Sequence, residues 1–260
     1  MKTRPTMLRF AAIAMFAFAT GQADAVTVQF QEGVSPDGTF NHAATYLRQG
    51  QATTNFDDNS LLTGFNSSGS ALSLRPILAY DLTAGLAPGM TLSDIALSLI
   101  VDGDRDDMLI DIFELTPGGD VNNLFVESEA TWNEYASGSP WSTAGGDFDP
   151  LSPLATVDTT GNTSDGSTVT FSSTPAFLSA AQAAYDAARP FQFILVSQSE
   201  GSNALMDFDD DSNATPANRP LLTVTAAPAD DPQTAPVVPE PATAVLAMFA
   251  LGAVAARRRG

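Results

Sequence analysis

Between residues 26 and 225 apolar and polar positions alternate in short runs, and clusters of Gly, Pro, Asn and Asp separate them. The runs are 26–30 (VTVQF), 77–82 (ILAYDL), 95–101 (IALSLIV), 108–115 (MLIDIFEL), 168–171 (TVTF), 191–196 (FQFILV) and 221–225 (LLTVT). A period of two puts successive side chains on opposite faces of a strand. In 108–115 it sets Leu109, Asp111, Phe113 and Leu115 on one face and Met108, Ile110, Ile112 and Glu114 on the other. Short strands punctuated in this way predict an all-β, jelly-roll-like β-sandwich. One segment has a helical period instead. Thr174 is placed to cap it and Pro175 suits its first turn, and Arg189-Pro190 ends it. Phe177, Leu178, Ala181, Ala184, Tyr185 and Ala188 then share one side, as a helix packed over one end of the sandwich requires.

Both ends of the chain depart from this pattern. Lys2, Arg4 and Arg9 precede an apolar stretch at 10–19, and Ala23-Asp24-Ala25 is a small-x-small cleavage pattern. Residues 1–25 therefore read as a signal peptide. Residues 226–238 are proline-rich without an apolar period and read as an extended linker. Residues 242–256 are apolar or small, and Arg257, Arg258 and Arg259 follow them. As a helix this run is about 22 Å long against a hydrocarbon core of about 30 Å, marginal for a permanent span. The arginines orient it with the acidic body outside the cytoplasm, the side the signal peptide also demands. A plain C-terminal anchor is the alternative. The order Pro239-Glu240-Pro241, apolar helix, arginines resembles the PEP-CTERM sorting signal. That resemblance implies recognition and processing by a membrane-embedded exosortase, with export, transient anchoring through 242–256, and delivery to the cell surface or extracellular matrix of an organism that makes exopolysaccharide. The expected layout is signal peptide 1–25, sandwich 26–225, linker 226–238 and sorting tail 239–260.

Charge narrows the partners. Residues 26–241 hold five arginines, no lysine and 29 acids, a net charge of −24. Such a surface repels phosphate backbones, so nucleic acid is not an expected partner. There is no cysteine, which removes disulfides, thiolate metal sites and cysteine nucleophiles. His42 is the single histidine and no Gly-x-Ser-x-Gly elbow exists, so a Ser-His-Asp hydrolase has little to stand on. His42 reads as a polar surface residue in a loop. Carboxylate pairs for glycoside hydrolysis are too numerous to single one out. The expectation is a protein that is not an enzyme.

A second resemblance covers 26–225. It rests on Leu78-Ala79-Tyr80-Asp81-Leu82, on Pro88-Gly89-Met90-Thr91-Leu92, and on Ile95-Ala96-Leu97-Ser98-Leu99. Glu129-Ala130-Thr131-Trp132-Asn133, the 140–147 segment (PWSTAGGD) and 218–224 (NRPLLTV) complete it. Together these resemble DNRLRE domains, secreted jelly-roll-like modules akin to carbohydrate-binding modules. The resemblance implies association with extracellular polysaccharide, as in a biofilm matrix. Trp132, Tyr135 and Trp141 lie within ten residues in a polar segment and are the carbohydrate-contact candidates, since sugar sites pair aromatic platforms with polar groups. Trp141 is the one expected to be exposed, and Trp132 is expected to anchor its loop. Two acid runs are candidate calcium loops: Asp102, Asp104 and Asp106, and Asp207, Asp209 and Asp211. Neither has the Gly and Glu that an EF-hand needs at its sixth and twelfth positions, so only a looser site, or a solvated acidic turn, fits. A matrix component with no ligand site, or a polysaccharide-active enzyme, are the other readings.

Overall fold

In the last strand Leu222, Val224 and Ala226 are buried while Leu221, Thr223 and Thr225 are half-buried, the two-residue period of a strand with one face on a core. The computed structural model describes residues 24–229 apart from 58, 68–71 and 104. Residues 1–23 of the expected signal peptide, residues 230–238 of the expected linker and the sorting tail lie outside the described residues. Within them the strands are β1 (Val26–Gln31), β2 (Ala43–Arg48), β3 (Leu61–Asn66), β4 (Leu72–Tyr80), β5 (Met90–Ile100), β6 (Leu109–Glu114) and β7 (Glu134–Ala136). There follow β8 (Ser139–Pro140), β9 (Ala155–Asp158), β10 (Thr168–Phe171), helix α1 (Pro175–Asp186), β11 (Phe191–Ser197), β12 (Ala204–Phe208) and β13 (Leu221–Pro228).

The strands make two curled antiparallel sheets, as the alternation predicts. One has the order β1-β13-β5-β10; the other has β12-β3-β4-β11-β6-β9, with β2 also paired to β4, and β7 and β8 form a small hairpin. The unit Asp24–Ala229 is built on the core between the sheets, where Phe30, Tyr80, Leu97, Ile112, Phe193 and Val224 are among the buried side chains. Burying one such side chain contributes roughly 1.5–3 kcal/mol.

β11 is buried on both faces. Phe191, Phe193 and Leu195 enter the main core, while Ile194 enters a second cluster with Leu47, Ile77, Phe113, Leu115, Phe125, Trp132 and Trp141. The connection between β6 and β9 supplies the last three and so covers the far face of the larger sheet. This accounts for the continuous apolar run in β11, which alternation alone does not explain.

Helix α1 starts as expected. Thr174 Oγ1 accepts from Phe177 N at 3.0 Å and donates to the Leu154 carbonyl, and Phe177, Ala181, Ala184 and Tyr185 are buried. The Tyr185 hydroxyl accepts from Met90 N at 3.1 Å and Gln182 Oε1 from Leu92 N at 2.7 Å, which fastens α1 to the start of β5. Thr174→Ala removes both bonds, and urea unfolding is expected to show a loss of about 1–2 kcal/mol.

One boundary and one strand differ from expectation. β13 runs to Pro228 because Ala227 and Pro228 still pair with Thr91 and Met90 of the long β5, so 226–228 is strand and not linker. β3 contains Gly64 at φ +116°, where a Cβ would lie 2.3 Å from the Ala204 carbonyl oxygen of β12. A glycine at that close approach breaks the alternation and hides the strand from a pattern reading.

Candidate metal centre

Five separate segments meet at one end of the sandwich, and four of them bring a carboxylate. Glu32 follows β1, Asn41 and His42 precede β2, Asp57 lies between β2 and β3, Glu127 between β6 and β9, and Asp211 between β12 and β13. Glu32, Asn41, Asp57, Glu127, Asp211 and Ser212 line a cleft of about 220 Å³.

Backbone amides aim the two glutamates. Glu32 Oε2 accepts from His42 N at 2.9 Å, and Glu127 Oε1 accepts from Ala44 N at 2.6 Å. Asn55 holds the Glu127 loop, donating from Nδ2 to the carbonyls of Glu127 at 2.6 Å and Ala130 at 2.8 Å. Arg219 ties the other side together: its Nη1 donates to the Glu32 carbonyl at 3.0 Å and its Nε to the Asn213 carbonyl at 2.9 Å.

His42 is the unusual member. It is 3 % exposed, which corrects the surface position expected for it. Its ring stacks on Tyr80, with centroids 4.5 Å apart and planes 8° from parallel. Neither ring nitrogen has a hydrogen-bond partner, and Nδ1 lies 3.7 Å from Glu32 Oε2. The Tyr80 hydroxyl is likewise buried without a partner. Burial, and then the positive charge of Arg219, hold His42 down to about 3, so the imidazole is neutral and its lone pair is free to ligate. A buried orphan of this kind ordinarily costs about 1–3 kcal/mol.

The carboxylates are also far from their ordinary state. Burial pushes Asp211 up to about 9, and the charge of Glu127 and a shared hydrogen bond with it push the same way. Burial raises Glu127 too, against the Ala44 amide. Donor atoms of Glu32, His42 and Asp211 all lie within 4.8 Å of one another. Chemically the arrangement is a set of hard oxygens plus one imidazole nitrogen, short of positive charge.

Of the calcium candidates, only Asp211 joins this cluster. Asp104 lies outside the described residues. At Asp207 a guanidinium stands where a cation was expected: Arg105 Nη2 donates to Asp207 Oδ2 at 2.6 Å. Asp102 Oδ2 accepts from Ser60 Oγ at 3.1 Å, Asp106 Oδ2 from Leu205 N at 2.9 Å, and Asp209 Oδ1 from Asn213 Nδ2 at 2.5 Å. These carboxylates serve as acceptors that close loops, and Asp207 and Asp209 are buried rather than solvated.

The aromatic candidates are corrected as well. Trp141 is 5 % exposed, because its indole drops into the second cluster and Nε1 donates to the Thr131 carbonyl at 2.8 Å. Trp132 is 7 % exposed and anchors its loop as expected. Tyr135 is half-buried against Trp141, with ring centroids 5.5 Å apart. None of the three offers an open platform. Beside them Arg75, Thr116, Ser142, Thr143, Asp147 and Phe148 line a groove of about 410 Å³. Arg75 makes a two-pronged pair with Glu200, both contacts 2.7 Å, and lies over the Trp132 and Phe148 rings at 5.1 and 5.4 Å.

Residues 237–259 match the family model of the PEP-CTERM protein-sorting motif, which includes Pro239, Glu240, Pro241, Arg257, Arg258 and Arg259. No curated protein matches the chain. The motif marks the chain as an exported protein sorted by an exosortase and held transiently in the membrane by its C-terminal end. Among the described residues no helix is long and apolar enough to cross a membrane. The match covers the tail alone.

Proposed function

We propose that this is a non-catalytic protein of the cell surface or extracellular matrix, whose DNRLRE-like sandwich associates with extracellular polysaccharide. The sorting motif at 237–259 carries the reading, since it assigns the body to the compartment where such polymers lie. The groove beside Arg75 supports the polysaccharide part. Exposed Ser142 and Thr143 offer hydroxyls, and Phe148 offers a half-buried ring, the mixture that sugar sites use. The proposed glycan contact thereby moves from Trp141 to the groove, where Arg75 lies over the Trp132 ring.

Fractionating cells of the producing organism tests both parts. The native protein is expected in the extracellular polysaccharide fraction in a processed, shortened form. Replacing Pro239, Glu240 and Pro241 together by alanine is expected to leave full-length protein in the membrane fraction. Phe148→Ala, with Thr143→Ala, is expected to release processed protein from the polymer. Processed protein that never sediments with polysaccharide would leave only the reading as a matrix component without a glycan site.

A further inference from the structure

The cleft at the end of the sandwich combines several acids with a buried imidazole whose nitrogens have no hydrogen-bond partner, and the two observations are independent. We propose that Glu32, His42, Glu127 and Asp211 hold a divalent metal cation that cross-links four loops of the sandwich. The site does not depend on the polysaccharide reading.

Each feature that is costly without a cation becomes favourable with one. Glu32 and Glu127 are pre-aimed by the His42 and Ala44 amides, so little ordering is left for binding. The cleft gathers the carboxyl groups of Glu32, Asp57, Glu127 and Asp211, and Arg219 is the guanidinium packed beside it. Its fork is occupied by backbone carbonyls of Glu32 and Asn213, not by the cleft carboxylates. A divalent ion would supply the positive charge that these converging carboxyl groups lack. It would also give the His42 lone pair a partner, and neutral imidazole is the commonest side-chain metal ligand.

Contrast within the molecule favours this cleft. The second acidic cluster, around Asp102 and Asp207, is neutralised from within by Arg105 at 2.6 Å. Here no arginine or lysine side chain is paired with Glu32, Glu127 or Asp211 among the described residues. The ligands come from positions 32, 42, 127 and 211, so the ion ties the ends of β1 and β12 to the starts of β2 and the long β6–β9 connection. The gain from closing such long loops appears as resistance to unfolding.

Carboxylates suit calcium and manganese, and imidazole suits zinc and its first-row neighbours, so all three ions are the probes. The full exported protein is stripped with chelator and titrated with calcium, manganese and zinc by calorimetry, and its melting midpoint is followed in parallel. At least one ion is expected to bind with a stoichiometry of one and to raise the midpoint. Asp211→Asn and Glu127→Gln are expected to weaken that ion at least tenfold while circular dichroism stays native. Asp106→Asn, outside the cleft, is expected to bind as the parent does. A tenfold loss in His42→Phe places the imidazole in the coordination shell. An unchanged affinity there overturns His42 as a ligand. Failure of all three ions to bind, or binding that Asp211→Asn leaves intact, overturns the site.

Discussion

Trp132→Ala is expected to lower the stability of the exported domain by about 3–5 kcal/mol, the cost of removing a large aromatic side chain from a packed interior. The expectation follows from what the indole touches. Arg75 lies over it at 5.1 Å, and Gly145, at φ +94°, comes so close that a Cβ there would stand 2.5 Å from the ring. The glycine is required both by its backbone angle and by the ring it meets. Removing the ring leaves a cavity under the loop and takes a face from the Arg75–Glu200 pair. Urea unfolding monitored by circular dichroism checks it. Trp141→Ala is expected to fall in the same range, with the added loss of the Nε1 bond to the Thr131 carbonyl. A glycan-contact residue would behave in the opposite way, changing retention on polysaccharide while the unfolding midpoint stayed within about 0.5 kcal/mol.

Trp132 is legible as a loop anchor, and the reason Trp141 is legible as a candidate, but not as core, lies in the sheet. From sequence, Trp132 and Trp141 stand in a segment of Ser, Gly, Asn and Glu that reads as a solvated loop. The loop folds back over the outer face of the larger sheet, and that long-range contact leaves no local periodicity. The same holds for β2, whose inner four residues are all buried, so its strand is present without alternation. Where one face is core and the other is open, as in β13 or β10, the pattern is plain. The helix was legible to its cap because Thr174 and Pro175 act within one turn.

The metal cleft shows the complementary failure. Runs of adjacent aspartates attract attention in a sequence, yet Asp207 spends its charge on Arg105, and Asp106 on the backbone of Leu205. The cleft is assembled from single acids far apart: Glu32 and Glu127 carry no local signature at all. Its visible signals are the solitary histidine, placed directly before a strand, and Asp211 at the end of an aspartate run. Sorting information is different in kind. It is contiguous, read by a partner as a linear segment, and so it is fully legible in 239–259.

In chelator, the protein is expected to lose stability steadily as pH rises from about 6.5 to 9, and the loss is expected to vanish when a divalent ion is bound. The sign follows from Asp211. Its carboxyl is raised in the folded state from the ordinary 3.8 to about 9, burial first and Glu127 next. The folded state therefore keeps a proton that the unfolded chain has released. Its stabilising effect is complete below about 4 and is lost as pH climbs towards 9. At about 1.4 kcal/mol for each tenfold change in proton affinity, this amounts to several kcal/mol. His42 acts on the other limb. Its folded value is depressed from 6.5 to about 3, so stability is lost as pH falls through that interval. The groups around both are Glu32, Asp57, Glu127 and Asp210 on the negative side and Arg219 on the positive. Asp211→Asn keeps a hydrogen-bond donor towards Glu127 and cannot ionise, so its alkaline limb is expected to be flatter. His42→Phe preserves a ring beside Tyr80 without titrating, and is expected to flatten the acid limb instead. Melting midpoints measured at pH 5, 6.5, 8 and 9, with and without the bound ion, separate the two. An alkaline slope equal in the parent and in Asp211→Asn would show that the proton sits elsewhere.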